Sequence, residues 1–241
     1  MKIAIFGAGQ LAMMMIQESI NLEHEFIIID PSSNPPASRL SKHIKKDYTN
    51  KETLDFIAKN YDIATIDFEN VDITALKYLD KYIQVSPPPR SLEVCQDRLL
   101  EKNFFKGLNI NVTNYASVSS LDDIKKFCRK EKSNYLLKSR RFGYDGKNQL
   151  RCSEDTTLLE DLLLNNDCIV EEIVDFQTEV SLICVRQDKD NFFFYPLVEN
   201  FHDRGILKYS IFPYENKSLQ KTAEEYALNI LNDFDYIGAL V

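Results

Sequence analysis

Four of the seven glycines in this chain fall in two short segments, and each segment has the make-up of an anion site. The first, Gly7-Ala8-Gly9-Gln10-Leu11-Ala12, follows an apolar run and satisfies G-x-G-x-x-G/A. Glycine there lets the backbone come close to an anion at the positive end of a helix. Asp30 ends the next apolar run, near the place where a dinucleotide site keeps its ribose-binding carboxylate. Pro31 behind it suits a structural strand end equally well. Gln10 is a polar side chain at the mouth of the crevice, unusual for a bare pyrophosphate cradle. The turn marks a crevice without naming its ligand. A tight turn with no ligand and an NAD(P)- or flavin-dependent oxidoreductase both stay open on the motif alone.

The second segment is Lys138-Ser-Arg140-Arg141-Phe142-Gly143-Tyr144-Asp145-Gly146-Lys147-Asn148-Gln149. From Lys138 to Arg151 five cations (Lys138, Arg140, Arg141, Lys147, Arg151) face one anion, Asp145, in a chain whose net charge is −8. A positive loop on an acidic protein suits phosphates, and its flexibility suits a lid. A solvated hairpin is the plainer alternative. Lys138 ends the apolar run Tyr135-Leu136-Leu137, where a single ammonium can serve as a fixed phosphate contact.

Glu171, Glu172 and Glu179 lie on or between apolar runs. Such carboxylates either blunt strand edges or flank a hinge that reads a base through its backbone and holds ribose hydroxyls. His202 is one of three histidines, and a lone histidine is more often structural than catalytic. The sequence contains no HExxH, no P-loop and no Ser/His/Asp order. Cys95, Cys128, Cys152, Cys168 and Cys184 are widely spaced and include no CxxC, which points to idle thiols in a reducing cytoplasm.

The elements that hold these residues alternate in the first half. Strands are predicted at 2–6, 25–30, 63–67 and 83–85, with helices at 10–20, 53–59 and 71–82, as in an open parallel α/β sheet. Pro87-Pro88-Pro89 is the predicted boundary. Beyond it a helix is predicted over 92–105, then strands at 135–138, 168–173, 179–187, 191–198, 206–211 and 236–241. Helices at 157–164 and 218–234 make this half α+β. With 241 residues, 44% hydrophobic and 27% charged, the chain has the length and composition of a soluble globular protein. Its acidity argues against nucleic acid and anionic membranes as general partners, and the absence of a long apolar run argues against a membrane span.

Several stretches occur in a fixed order: GAGQLA, Phe68-Glu69-Asn70, Asp97-Arg98-Leu-Leu-Glu-Lys102, Lys138 with GYDGKNQ, CIVEE with TEVSL, and FYPLVENFHDRGIL. This ordered set resembles the biotin-carboxylase-like ATP-grasp superfamily, and within it the 5-(carboxyamino)imidazole ribonucleotide synthase family of purine biosynthesis. The resemblance covers the whole chain. It implies a Rossmann-like preATP-grasp domain over 1–89 and an incomplete ATP-grasp domain over 90–241, with a lid at about 110–170.

The implied enzyme uses ATP and bicarbonate to carboxylate 5-aminoimidazole ribonucleotide through carboxyphosphate. By the same resemblance, Arg98 and Lys138 contact ATP phosphates, and Gly143, Tyr144, Asp145, Gly146, Lys147, Asn148 and Gln149 form the lid loop. Glu171, Glu172, Ile173 and Val174 form the adenine hinge, Glu179 holds the ribose, and His202 completes the pocket. Gly9, Gln10, Leu11 and Glu69 line the ribonucleotide side together with Tyr144, Asp145 and Lys147. Cytoplasmic homodimers are implied too. Phe142 and Asn148 stand where the family usually has glycine. The carboxylates implied for magnesium lie past Val241, so no metal ligand is expected here and the chain alone is expected to be inactive. A non-catalytic nucleotide-binding remnant is the competing reading.

Overall fold

A computed structural model describes residues 1–128, 134–143, 148–203 and 205–241. The chain divides into two compact units, Met1–Glu93 with Phe234–Gly238, and Val94–Asp233 with Ala239–Val241.

The first unit is built from β1 (Lys2–Phe6), α1 (Gln10–Glu18), β2 (Glu25–Ile29), β3 (Lys42–Ile44), α2 (Lys51–Asn60), β4 (Ile63–Ile66), α3 (Ile73–Leu79), β5 (Gln84–Val85) and α4 (Pro89–Cys95). Its strands pair in parallel in the order β3-β2-β1-β4-β5. The apolar runs KIAIF and EFIII explain this, because their ends are buried on both faces, as a covered parallel sheet requires. Phe6, Ile29, Ile57, Leu76 and Leu79 fill one face, and Ile5, Ala12, Ile16 and Ile28 fill the other. The strand order reverses beside β1, so the crevice for a ligand opens at the carboxyl ends of β1 and β4. The sequence reading lacked β3, a short edge strand of residues KHI with too little periodicity to read.

Two expectations change at the boundary. Pro89 opens α4 instead of ending an element, since proline suits the first helical turn. The single helix expected over 92–105 is also two helices. Asp97 accepts hydrogen bonds from the Leu99 and Leu100 amides at 3.0 and 3.4 Å and starts a new helix, α5 (Arg98–Gly107).

The second unit continues with β6 (Tyr115–Val118), α6 (Leu121–Phe127), β7 (Tyr135–Ser139), β8 (Gln149–Arg151), α7 (Thr156–Asn165) and β9 (Cys168–Glu172). Their antiparallel sheet has the order β6-β9-β7-β8 and is covered by Ile124 and Leu159 of the two helices. Then come β10 (Glu179–Ser181), β11 (Cys184–Arg186), β12 (Phe192–Phe194), β13 (Val198–Asp203), β14 (Ile206–Ile211), α8 (Lys217–Phe234) and β15 (Gly238–Leu240).

The strands expected over 179–187 and 191–198 each split between sheets. β10 pairs with β13, whereas β11 pairs with β12, so the chain changes sheets between Ser181 and Cys184. Pro196, which has no N–H to donate, separates β12 from β13. The two resulting sheets have the orders β10-β13-β14 and β12-β11-β15.

Candidate functional site

In the first unit, the glycine turn connects β1 to α1 and faces the turn that follows β4. Gly7 has φ +96°, a backbone that side chains rarely adopt. Gly9 precedes α1 and has no side chain with which to cap it. The cap comes from Asp67, whose carboxylate accepts from the Gly9 amide at 2.5 Å and from the Ala12 amide at 2.6 Å. Gln10 and Leu11 begin α1 and are exposed, Leu11 by 55%. Glu69, in the turn after β4, accepts from the Asn70 side chain at 3.3 Å. Gly9, Gln10, Leu11 and Glu69, which the resemblance assigns to a ribonucleotide, therefore share the carboxyl edge of this sheet.

Asp30 sits on the same edge but is already engaged. It accepts from the Ser32 amide at 2.8 Å and from the Tyr48 hydroxyl at 3.1 Å. Burial, followed by the Asp30 charge, pushes the Tyr48 phenol well above its ordinary range and keeps it a donor.

In the second unit, the central feature is Glu171 on β9, which is only 6% exposed. Its carboxylate lies between two ammonium groups. Lys102 of α5 stands 2.7 Å from Oε2, and Lys138 of β7 contacts Oε1. The sheet register explains the meeting, since β9 runs between β6 and β7 and places Glu171 opposite Tyr115 and Leu136. Burial pushes the Glu171 carboxyl up, but hydrogen bonds and charge from Lys102 and Lys138 outweigh it and hold the group below the ordinary carboxylate value. Glu101 has the opposite balance. Burial raises its carboxyl, and the nearby cations Arg98, Lys102 and Lys138 only partly offset that.

Arg98, the first residue of α5, donates from its guanidinium to the Gly143 carbonyl at 3.1 Å, and its amide donates to the Arg140 carbonyl at 2.9 Å. The start of α5 is thereby fastened to the entry of the glycine loop. The other end of that loop is closed by the Ser139 amide, which donates to the Asn148 carbonyl at 3.0 Å, while Gln149 pairs with Lys138. Phe142 and Asn148 have φ of 59° and 54°. Both therefore adopt the left-handed backbone for which glycine is suited. Tyr144, Asp145, Gly146 and Lys147 lie outside the described residues.

The positive loop is less positive than its composition suggests. Asp97, 3% exposed, accepts from Arg140 Nε at 2.9 Å and from its NH2 at 2.6 Å, and Arg141 Nε lies 3.5 Å away. Burial raises the Asp97 carboxyl, yet the Arg140 pair and the helix amides bring it below its ordinary value. Arg140 and Arg141 thus face a buried carboxylate, which offsets part of the loop's positive charge.

The hinge residues follow directly. β9 ends at Glu172, whose carboxylate accepts from Asn114 at 2.7 Å, and the Ile173 amide donates to the Asn134 carbonyl at 2.8 Å. Val174 lies just past them, 52% exposed. Glu179 on β10 and His202 on β13 meet at 3.1 Å through Oε1 and Nδ1. The second-unit residues are thus gathered in two groups, Arg98-Lys138-Gly143-Glu171 and Glu179-His202, linked by the chain at 173–178.

The sequence reading gave Asp67, Asp97, Glu101 and Lys102 no role, although the last three stand in one of the stretches that carry the resemblance. Arg98 and Lys102 stand four apart on one helix, a spacing that places both cations on one face and was readable. Asp67 gave no signal, because a carboxylate at a strand end looks like any turn residue.

Among the described residues, no group of three or more His, Cys, Asp or Glu side chains is placed to hold a metal. The same residues include no helix long and apolar enough to cross a membrane.

With this geometry in view, the comparisons with known proteins are specific. Residues 1–96 match the ribonucleotide synthetase preATP-grasp domain, and residues 103–241 match the ATP-grasp domain. The N5-carboxyaminoimidazole ribonucleotide synthase of Pseudomonas aeruginosa is 37% identical over 242 residues, which cover 100% of this chain and 67% of that protein. The crystal structure of the N5-carboxyaminoimidazole ribonucleotide synthetase from Thermus thermophilus superposes with a TM-score of 0.88 at 34% identity, covering 98% of this chain and 65% of the other. The Staphylococcus aureus synthetase, solved in complex with ADP, gives 0.90 at 29% identity and covers 99% and 64%. The chain spans about two thirds of the length of these relatives.

Proposed function

Because this chain belongs to the N5-carboxyaminoimidazole ribonucleotide synthase family of ATP-grasp proteins, we propose that it binds ATP in its second unit and 5-aminoimidazole ribonucleotide at the carboxyl edge of its first. The observation that carries the reading is the Lys102-Glu171-Lys138 cluster beside Arg98. Two ammonium groups and a guanidinium converge where β7 and α5 meet the glycine loop, and one buried carboxylate fixes both lysines before any ligand arrives. Such preorganisation suits charge-assisted contacts to phosphate oxygens.

In the proposed reaction, a bicarbonate oxygen takes the γ-phosphoryl group of ATP, giving ADP and carboxyphosphate. The exocyclic amine of the ribonucleotide then forms its new N–C bond as the C–O bond to phosphate breaks, and the amine loses a proton. Phosphoryl transfer of this kind depends on position and charge stabilisation more than on covalent help from the protein.

Arg98 and Lys138 take the phosphates. Gly143, Asn148 and Gln149 lie against those phosphates. Glu171, Glu172, Ile173 and Val174 border the adenine, Glu179 holds the ribose, and His202 completes the pocket. Gln10, Leu11 and Glu69 face the aminoimidazole ribonucleotide. The family and the wide spacing of the five cysteines, with no CxxC among them, support a cytoplasmic setting, and the family supports a homodimer.

Isothermal titration tests the reading, first with ATP, then with aminoimidazole ribonucleotide in the presence of bicarbonate. The expected result is saturable ATP binding that weakens by roughly tenfold or more in Lys138→Met, the loss expected for one charge-assisted phosphate contact. ATP binding without release of inorganic phosphate fits both this reading, in which the chain alone is inactive, and the nucleotide-binding alternative, and binding of aminoimidazole ribonucleotide favours the first. No heat with ATP counts against both.

A further inference from the structure

The motif that looks most like a phosphate cradle in this protein already contains an anion. We infer that Asp67 is a specificity-determining residue: its carboxylate occupies the N-terminal amides of α1 and bars a ligand phosphate from the G-x-G-x-x-A turn. The inference goes beyond the proposed function and relies on that reading only for the identity of the substrate; the exclusion itself stands without it.

Three observations carry it. Gly9 and Ala12, whose amides would receive a pyrophosphate in a dinucleotide site, donate instead to the two oxygens of Asp67 at 2.5 and 2.6 Å. The Asp67 amide itself donates to the Phe6 carbonyl at 2.9 Å, so its backbone continues the β1–β4 pairing and the carboxylate is held from both sides. Both glycines of the motif are also explained without any ligand. A Cβ on Gly9 would meet Asp67 Oδ2 at 2.6 Å, and one on Gly7 would meet Asp67 Cβ at 2.7 Å and the Phe68 ring at 2.9 Å. The turn is glycine-rich because Asp67 and Phe68 press against it.

A second anion at these amides would have to displace Asp67 or sit beside a like charge in a partly buried place, and both are unfavourable. Asp30, the other carboxylate expected of a dinucleotide site, is likewise engaged by Ser32 and Tyr48. What the turn still offers is Gln10 and Leu11, exposed and held in direction because the residues on either side of them are tied to Asp67. The crevice therefore selects through the uncharged part of its ligand and leaves the phosphate of a ribonucleotide to be bound elsewhere.

The test follows the Gly9 and Ala12 amides in ¹H–¹⁵N spectra of the full 241-residue chain, titrated with inorganic pyrophosphate and separately with NAD⁺. In the wild type, both amide protons should lie at low field, as charge-assisted donors do, and neither ligand should shift them saturably. In Asp67→Ala, pyrophosphate should shift both saturably, with affinity at least ~10-fold above any wild-type binding, the scale of a helix N-terminus meeting an anion. Asp67→Asn keeps the shape and removes the charge, so it decides the matter if the alanine variant does not fold. It should move both amide protons upfield.

Saturable pyrophosphate shifts at Gly9 and Ala12 in the wild type overturn the inference. So does a folded variant that gains nothing. Failure of aminoimidazole ribonucleotide to bind would instead count against the substrate reading, and these residue-resolved signals keep the two failures apart.

Discussion

Glu171 is the buried carboxylate at the centre of the second unit's charged cluster, and its two neighbours give its ionisation a sign. Its folded-state carboxyl lies below the ordinary value because the lysines overcome burial. The stability it contributes is therefore present above the unfolded carboxylate value and lost as pH falls through the lower folded one. Replacing it by glutamine removes the carboxylate that lies between Lys102 and Lys138, whose side chains are 17% and 18% exposed, and leaves Glu101 as the nearby carboxylate. Breaking a buried pair in this way costs about 3 kcal/mol near neutral pH, the lower end of the usual range because both lysines retain some water. Glu101→Gln should do the reverse. Burial raises that carboxyl, so its ionisation is a cost that appears as pH rises through the raised value, and the amide removes it. Urea unfolding of both variants from pH 3 to pH 8 checks the signs. A wild-type-to-Glu171→Gln gap that stays constant down to pH 3 would contradict the assignment.

The glycine loop shows most clearly how much the sequence could say at the level of an element. Its two departures from the family pattern, Phe142 and Asn148, both have the left-handed backbone that glycine would adopt. The glycines usual in the family at these two positions suit that backbone. Asn148 tolerates it, and its side chain reaches the Phe142 carbonyl at 3.4 Å. Phe142 is 67% exposed and gains no burial to offset the strain. A left-handed non-glycine residue costs ~1–2 kcal/mol, and glycine's greater freedom in the unfolded chain offsets ~0.5–1 of it. Phe142→Gly should therefore stabilise the second unit by roughly 0.5–1 kcal/mol, measured by thermal or urea denaturation, and a lower midpoint would refute the account. The parallel sheet was legible from its buried apolar runs, and so were Lys138 and Glu171 at the ends of theirs. The Asp97 cap was not, because the apolar spacing of 92–105 reads straight through it and only tertiary contact with Arg140 shows that the helix restarts. The divided strands of the second unit were hidden for a similar reason, since alternation fixes a strand but not the sheet it joins.

At the scale of the whole molecule, one run of exposed apolar side chains in the second unit lies on a strand with a free edge. β14 is the outer strand of β10-β13-β14, and all six of its residues are exposed. Ile206, Leu207, Tyr209 and Ile211 retain 49–57% of their accessible surface, and Phe212 beyond them 58%. The only charge on the strand, Lys208, is paired with Asp203 at 3.2 Å. An edge with unpaired backbone groups, apolar side chains on both faces and little charge is a template for another strand. Antiparallel pairing of β14 with the β14 of a second copy satisfies those groups around a two-fold axis, in which each Ile206 meets the partner's Ile211 end. The expected outcome is reversible self-association of this chain, seen in sedimentation velocity as a weight-average coefficient that rises with concentration. Leu207→Lys combined with Ile211→Lys places charge on that edge and should return the protein to a monomer without lowering its unfolding midpoint by more than about 0.5 kcal/mol equivalent, since both positions are exposed. A single concentration-independent species in the wild type, or association that survives the double substitution, would show that β14 is not the surface responsible.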